Sequence, residues 1–123
     1  MKTKEMPYIY FVSAALRPAR KSRRIDSLTL RIDLNGDFMW DSISITCTHD
    51  FLIEMETPAG PISKTPLRAS NLGMGENPFR LGMTVQLPKG YEMSMRAQNC
   101  LTDSRKWNFI DIMLGGTKVW ALR

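Results

Sequence analysis

The run from Leu87 to Arg123, LPKGYEMSMRAQNCLTDSRKWNFIDIMLGGTKVWALR, leaves this chain few folds to choose from. It alternates strand-forming stretches with turn-forming ones, and no helix longer than a turn is expected in it. Leu87 runs into Pro88-Lys89-Gly90, a turn. Tyr91, Met93 and Met95 alternate as one strand, and Gln98 to Arg105 is a loop. Trp107, Phe109, Ile110, Ile112 and Leu114 make the next strand. Gly115-Gly116 is expected to turn the chain, and Lys118 to Leu122 to close it as a last strand. The whole stretch holds one Cys and no His, and it offers no reaction centre.

The rest of the chain reads the same way. Tyr8 to Val12 is aromatic and β-branched, the composition of a strand, and Arg17-Pro18 should end it because proline removes a ladder donor. Leu28, Leu30, Ile32 and Leu34 alternate with polar residues, which gives a strand with one apolar face. Asn35-Gly36 is the strongest short turn signal. Phe38, Trp40, Ile43 and Ile45 mark another strand, with a change of phase near Asp41-Ser42 that reads as a bulge. Phe51 to Met55 follows. Residues 58–82, punctuated by Pro58, Pro61, Pro66 and Pro78, form a long crossing connection with short irregular strands. About eight short strands separated by turn signals predict an all-β, antiparallel β-sandwich, and the long connection favours a jelly-roll-like order over a meander. Alternation places Leu28, Leu30, Ile32, Phe38, Ile110, Ile112 and Val119 in the core.

At 123 residues the chain is expected to be a single domain. Its charge is unevenly placed. Residues 1–24 carry seven Lys/Arg against one acid, a net +6, whereas residues 25–123 carry ten against eleven, a net −1. The reading is therefore a basic N-terminal strand and loop (1–24), kept out of the fold's centre, and a nearly neutral sandwich body (25–123). No signal peptide and no membrane span is expected, since no apolar run approaches the roughly 20 residues of a spanning helix.

Several short tracts fall in a telling order: Asp37-Phe38-Met39-Trp40 after a strand and turn, Gly60-Pro61-Ile62-Ser63 after a strand, Asn77-Pro78-Phe79 in the central connection, Leu87-Pro88-Lys89-Gly90 before a strand ending near Gln98-Asn99, and Phe109 to Gly116 at the end. Over residues 25–120 this order resembles the small β-sandwich virion proteins of tailed bacteriophages. The resemblance implies an oligomeric structural role without catalysis, made in the host cytoplasm and carried in the virion. The partners it implies are further copies of the chain and other virion proteins, such as the major capsid protein.

The candidate binding residues are Arg17, Arg20, Lys21, Arg23 and Arg24, a basic run suited to nucleic acid phosphates or an acidic neighbour, together with Trp107, the tryptophan with the most polar surroundings. Set against this, charge runs are commonly only solvated. His49 is the single histidine; with Cys47 and Cys100 it falls short of the four ligands of a structural zinc site. No metal, cofactor or catalytic residue is expected. Asp33, Asp37, Asp41 and Asp50 read as scattered surface acids, and Gly73-Met74-Gly75 lacks the helix and Gly-Lys-Ser/Thr ending of a phosphate loop. Two alternatives stay open. One is a glycan- or receptor-binding module using Trp40, Trp107 and Trp120 as a stacking platform. The other is an oligonucleotide-binding barrel, against which counts the separation of the aromatics from the basic run.

Overall fold

The computed structural model describes residues 2–18, 25–74, 76–100 and 105–121. Among them lie ten strands: β1 (Thr3–Leu16), β2 (Ile25–Arg31), β3 (Asp37–Cys47), β4 (Phe51–Thr57), β5 (Gly60–Pro61), β6 (Leu67–Arg68), β7 (Gly73–Met74), β8 (Asn77–Leu87), β9 (Glu92–Asn99) and β10 (Asn108–Ala121). One three-residue 3-10 turn, Ala69–Asn71, is the only helical element among them.

The strands form two sheets with every pairing antiparallel. Sheet A runs β1-β10-β3-β8, with β7 beside β8; sheet B runs β2-β9-β4-β5, with β6 also on β4. Successive long strands change sheet at each step, β1 in A, β2 in B, β3 in A, β4 in B, and again β8, β9 and β10. This is the jelly-roll order of two interlocked Greek keys. The count is ten where about eight were expected, and the difference is local. β5 pairs with Glu56 and Thr57, and β6 with Leu52 and Ile53, so the two are pieces of one edge strand of sheet B. Pro61 and Pro66 flank the break, where proline cannot donate to a ladder. The strands are also not uniformly short: β1 and β10 are 14 residues each.

β1 is a full member of sheet A, paired with β10 from Thr3↔Ala121 to Leu16↔Asn108, with Tyr10 and Leu16 buried. The expectation that residues through 24 stay out of the centre is therefore corrected for 3–16. Pro7 is accommodated because β1 is an edge strand, and Pro18 follows its end as expected.

Two glycine signals resolve differently from the reading above. Asn35-Gly36 does bend the chain, but between β2 in sheet B and β3 in sheet A, not within a hairpin. Gly36 is buried, and a Cβ there would collide with the Val119 carbonyl oxygen, so glycine serves close approach. Gly115-Gly116 does not turn the chain at all. β10 runs straight through it, and the pair sits opposite the bulge expected at Asp41: Gly115 faces Ser42 and Gly116 faces Trp40, leaving Asp41 as the extra residue of β3. A Cβ on Gly116 would strike the Met39 carbonyl oxygen.

Because the extra residue is on β3, β10 keeps its alternation across the glycines. Ile110, Ile112 and Leu114 point inward, and so does Lys118, which is 0% exposed, while Val119 is only half-buried. That corrects the placement of Val119; Leu28 is likewise half-buried, and Leu30, Ile32, Phe38, Ile110 and Ile112 are buried as expected. The Lys118 ammonium donates to the Tyr10 hydroxyl and lies 5.0 Å and 5.5 Å from the Tyr10 and Tyr8 rings. The Tyr10 hydroxyl donates to Asp33 Oδ2 at 3.3 Å and accepts from the Asp33 N–H at 3.2 Å. Phe38 packs edge-on to Tyr10, ring centroids 4.9 Å apart. Burial lowers the Lys118 pKa, against the opposing pull of Asp33, Tyr8 and Asp37. Burial also raises that of Tyr10.

Ile112→Ala should cost about 2–5 kcal/mol, because Ile112 is fully enclosed between the sheets; chemical denaturation measures it. Between the lowered Lys118 value and the ordinary lysine value, the unfolded chain holds a proton that the folded chain has lost, so stability rises with pH. The raised groups oppose this, Cys47 from the ordinary cysteine value upward and Tyr10 and Tyr91 from the ordinary tyrosine value upward. Below the ordinary cysteine value, melting temperatures recorded against alkaline pH should rise for the wild type and stay level for Lys118→Met.

Candidate assembly surface

The two outer faces of the sandwich differ in chemistry. On sheet B the outward residues are mostly polar or charged: Ser27, Thr29 and Arg31 on β2, Glu92, Ser94, Arg96 and Gln98 on β9, Glu54 and Glu56 on β4. Arg96 and Glu54 pair across the strands at 2.7 Å. Ile25 and Leu52 are the apolar exceptions on this face.

Sheet A turns the other way. Its outward rows follow from the register: Ile9, Gly115, Ser42 and Arg80 lie side by side, then Phe11, Met113 and Ser44, then Ser13, Asp111 and Thr46, then Ala15 and Phe109. Ile9 is 50% exposed, Phe11 62% and Phe109 63%. The middle of the face is low, because Ser42, Ser44 and Gly115 are small. They are overshadowed by Ile9, Met113 and Pro78, which line a hollow with them, and this is why the two serines are buried although they point outward. The Ser44 hydroxyl lies 3.7 Å from the Met113 sulfur, and the Ser13 hydroxyl donates to Asp111.

One end of the trough widens into a hollow of about 480 Å³ beside the Asp41 bulge, where Arg80 lies 3.9 Å from Asp41. The other end is a hollow of about 290 Å³ between Phe11, Met113 and Asp111. Beyond the bulge, β8 carries Leu81–Thr84 against the single residue Asp41, and Met83 stands exposed on this hump. On this face Ile9, Phe11 and the half-buried Met113 form one exposed apolar cluster, bordered by Arg80 on one side and by the polar row Ser13, Asp111 and Thr46 on the other. Such a cluster is a candidate contact site.

The residues picked from sequence are placed as follows. Arg17 is exposed at the end of β1, its carbonyl accepting from Asn99 Nδ2 at 3.1 Å. Trp107 is 48% exposed immediately before β10. Continuing the β1–β10 register beyond Leu16↔Asn108 brings these two to the same end of sheet A. Arg20, Lys21, Arg23 and Arg24 lie outside the described residues. Trp40 is fully buried, its indole N–H donating to the Ser42 carbonyl at 2.7 Å, and Trp120 is half-buried with the Lys4 ammonium 5.6 Å from its ring. The three tryptophans therefore do not form one exposed platform.

The acids have structural partners: Asp33 with Tyr10, Asp37 with Gln86 and the Lys89 N–H, Asp41 with Arg80, and Asp50 with Arg68 and Ser70. Burial raises the Asp50 pKa, but hydrogen bonds from the Ser70 N–H, Arg68, the Ser70 hydroxyl and the Phe51 N–H outweigh it and hold the carboxyl below its usual range. Among the described residues no three His, Cys, Asp or Glu side chains are grouped to hold a metal ion. Among them, too, no helix is long and apolar enough to cross a membrane. No protein-family model matches the chain, and no curated protein is significantly similar to it.

The apolar face had a sequence signal. Tyr8-Ile9-Tyr10-Phe11-Val12 and Phe109-Ile110 are apolar at consecutive positions, without the alternation seen in β2. Consecutive apolar residues in a strand mean that both faces call for cover. Phe11→Ser combined with Met113→Ser should leave the melting temperature within a few degrees, since Phe11 is exposed. Sedimentation at high concentration checks the surface: the wild type is expected to gain mass there, and the double variant to stay at the mass of one chain.

Proposed function

We propose that this chain is a non-enzymatic structural protein of a tailed-bacteriophage virion, acting by packing against copies of itself and against neighbouring virion proteins. Capsid decoration, a vertex and the head–tail junction are the places such a subunit would occupy, with the major capsid protein as its natural neighbour. The observation that carries this reading is the exposed apolar cluster of Ile9, Phe11 and Met113 on the outer face of sheet A, which the charged outer face of sheet B does not match. One face is suited to protein and the other to water. The jelly-roll strand order supports it by analogy of fold, since capsid domains use that architecture. So does the order of tracts from Asp37 to Gly116 that resembles small virion sandwiches. Weak contacts of this sort reach useful affinity when repeated on a lattice. The basic run from Arg17 would add salt-sensitive attraction to an acidic neighbour or to packaged nucleic acid.

A second reading, a glycan- or receptor-binding module, draws on the exposed Trp107 next to Arg17, and jelly rolls also serve as lectins. A single exposed indole gives it less support than the broad face of sheet A. An oligonucleotide-binding barrel has five strands closed on themselves, unlike these two open sheets.

A tagged chain supplied during particle assembly should band with virions in a density gradient, and the Phe11→Ser, Met113→Ser variant should stay behind in the soluble fraction. Wild-type chain that never bands with particles would overturn the proposal.

A further inference from the structure

At one end of the sandwich the structure gathers both cysteines. Cys47 is the last residue of β3 in sheet A, and Cys100 directly follows β9 in sheet B. Several contacts bind these ends together. The Cys100 N–H donates to the Asp50 carbonyl at 3.3 Å, and Asp50 lies three residues beyond Cys47. Cys47 pairs with Ile110 of β10. Two residues before Ile110, the buried Asn108 side chain donates to the His49 carbonyl and to Asn99 Oδ1, both at 2.8 Å, and accepts from the His49 N–H at 2.9 Å. Asn99 immediately precedes Cys100. Both thiols are half-buried.

Their surroundings differ. Arg68, exposed on β6, places Nη1 3.1 Å from Asp50 Oδ2 and 3.5 Å from the Cys100 sulfur. The guanidinium is thus shared between the Asp50 carboxylate and the Cys100 sulfur. Cys47 packs against the core. Burial pushes its thiol up, and the charges of Asp50 and Cys100 push it further, so it keeps its proton and is itself a slow nucleophile. A thiol in contact with a guanidinium, at the same end of the sandwich as a second thiol held back by burial, suits an attacking and a resolving cysteine.

We propose that Cys100 and Cys47 form a thiol–disulfide exchange pair that reacts with a small disulfide of the glutathione type and ends as a bond joining the two sheets. The Cys100 thiolate attacks one sulfur of the small disulfide, forming a mixed disulfide and expelling one thiolate, which takes up a proton. Cys47 then gives up its proton and attacks the Cys100 sulfur, expelling the second thiolate. Two protein thiols are oxidised to one disulfide, and the small disulfide is reduced to two thiols. The bond would tie the end of β3 to the end of β9 and stiffen the sandwich at the end that also carries Arg17 and Trp107.

The test is intact-mass and peptide mapping of the full chain treated with glutathione disulfide. The wild type should lose two hydrogens, yield a Cys47–Cys100 peptide and melt at a higher temperature. Cys47→Ser should stop at a glutathione adduct on Cys100. Cys100→Ser should form an adduct about tenfold more slowly, and Arg68→Met should slow adduct formation at Cys100 several-fold. Alkylation of the untreated wild type gives a readout that needs no variant, and Cys100 should be labelled first. Cys47 labelled first, cross-linked dimers in place of the internal bond, or no disulfide under conditions that oxidise a control dithiol would each overturn the proposal.

Discussion

The pairing of β10 with β3 across Gly115-Gly116 and the Asp41 bulge is the contact on which the rest of this sandwich depends. β10 is held between β1 and β3 and is one of the two longest strands described. Gly116 lets the β3 backbone come within a distance that no Cβ would allow, and Gly115 leaves room for the Ser42 side chain. The extra residue is placed on β3, so β10 stays in phase along its whole length while β3 changes phase at Asp41. Trp40 and Phe38 point inward on one side of the bulge, and Ile43 and Ile45 on the other. One local irregularity thus lets both halves of β3 bury their apolar side chains against sheet B.

The same irregularity shapes the surface. Turning Ser42 and Ser44 outward next to Gly115 lowers the middle of the sheet A face, and Ile9, Phe11 and Met113 rise beside it. Keeping β10 in phase also drives Lys118 into the interior, where two tyrosine rings and the Tyr10 hydroxyl receive it. A lysine enclosed this way is a poor contributor to stability. Its position follows from the continuity of the strand and not from any gain of its own.

Where local pattern and tertiary structure agree, the sequence was readable. The alternation from Leu28 to Ile32 became β2 and its extension, with Leu34 falling instead in the exposed turn beyond it; the phase change at Asp41-Ser42 became a bulge, and Pro18 marked the end of β1. Where a glycine pair is the only signal, a turn and a close approach look alike. Gly115-Gly116 was read as a turn because the carbonyl that excludes a side chain there belongs to Met39, far away in the chain. Alternation after that pair places Val119 in the core, where the structure has Lys118. The apolar cluster was half legible for a related reason: the unbroken run Tyr8 to Val12 calls for cover on both sides, but it takes the tertiary structure to show that Tyr8, Tyr10 and Val12 turn inward and Ile9 and Phe11 outward. The meeting of the β3 and β9 ends, each with its cysteine, depends on sheet pairing and on the buried amides of Asn99 and Asn108, which spacing in sequence does not encode.

The central claim is that the outer face of sheet A is covered by protein when the chain does its work. Oxidative footprinting of methionines tests it most directly, because the chain carries its own probes. Met113 sits in the middle of that face, and Met83 stands on the β8 hump with 67% of its surface open to solvent. As concentration rises from dilute to assembling conditions, Met113 should become protected from oxidation while Met83 continues to react. Equal oxidation of Met113 at every concentration, in a sample that nonetheless assembles, would show that the contacts lie on another face and would contradict the account.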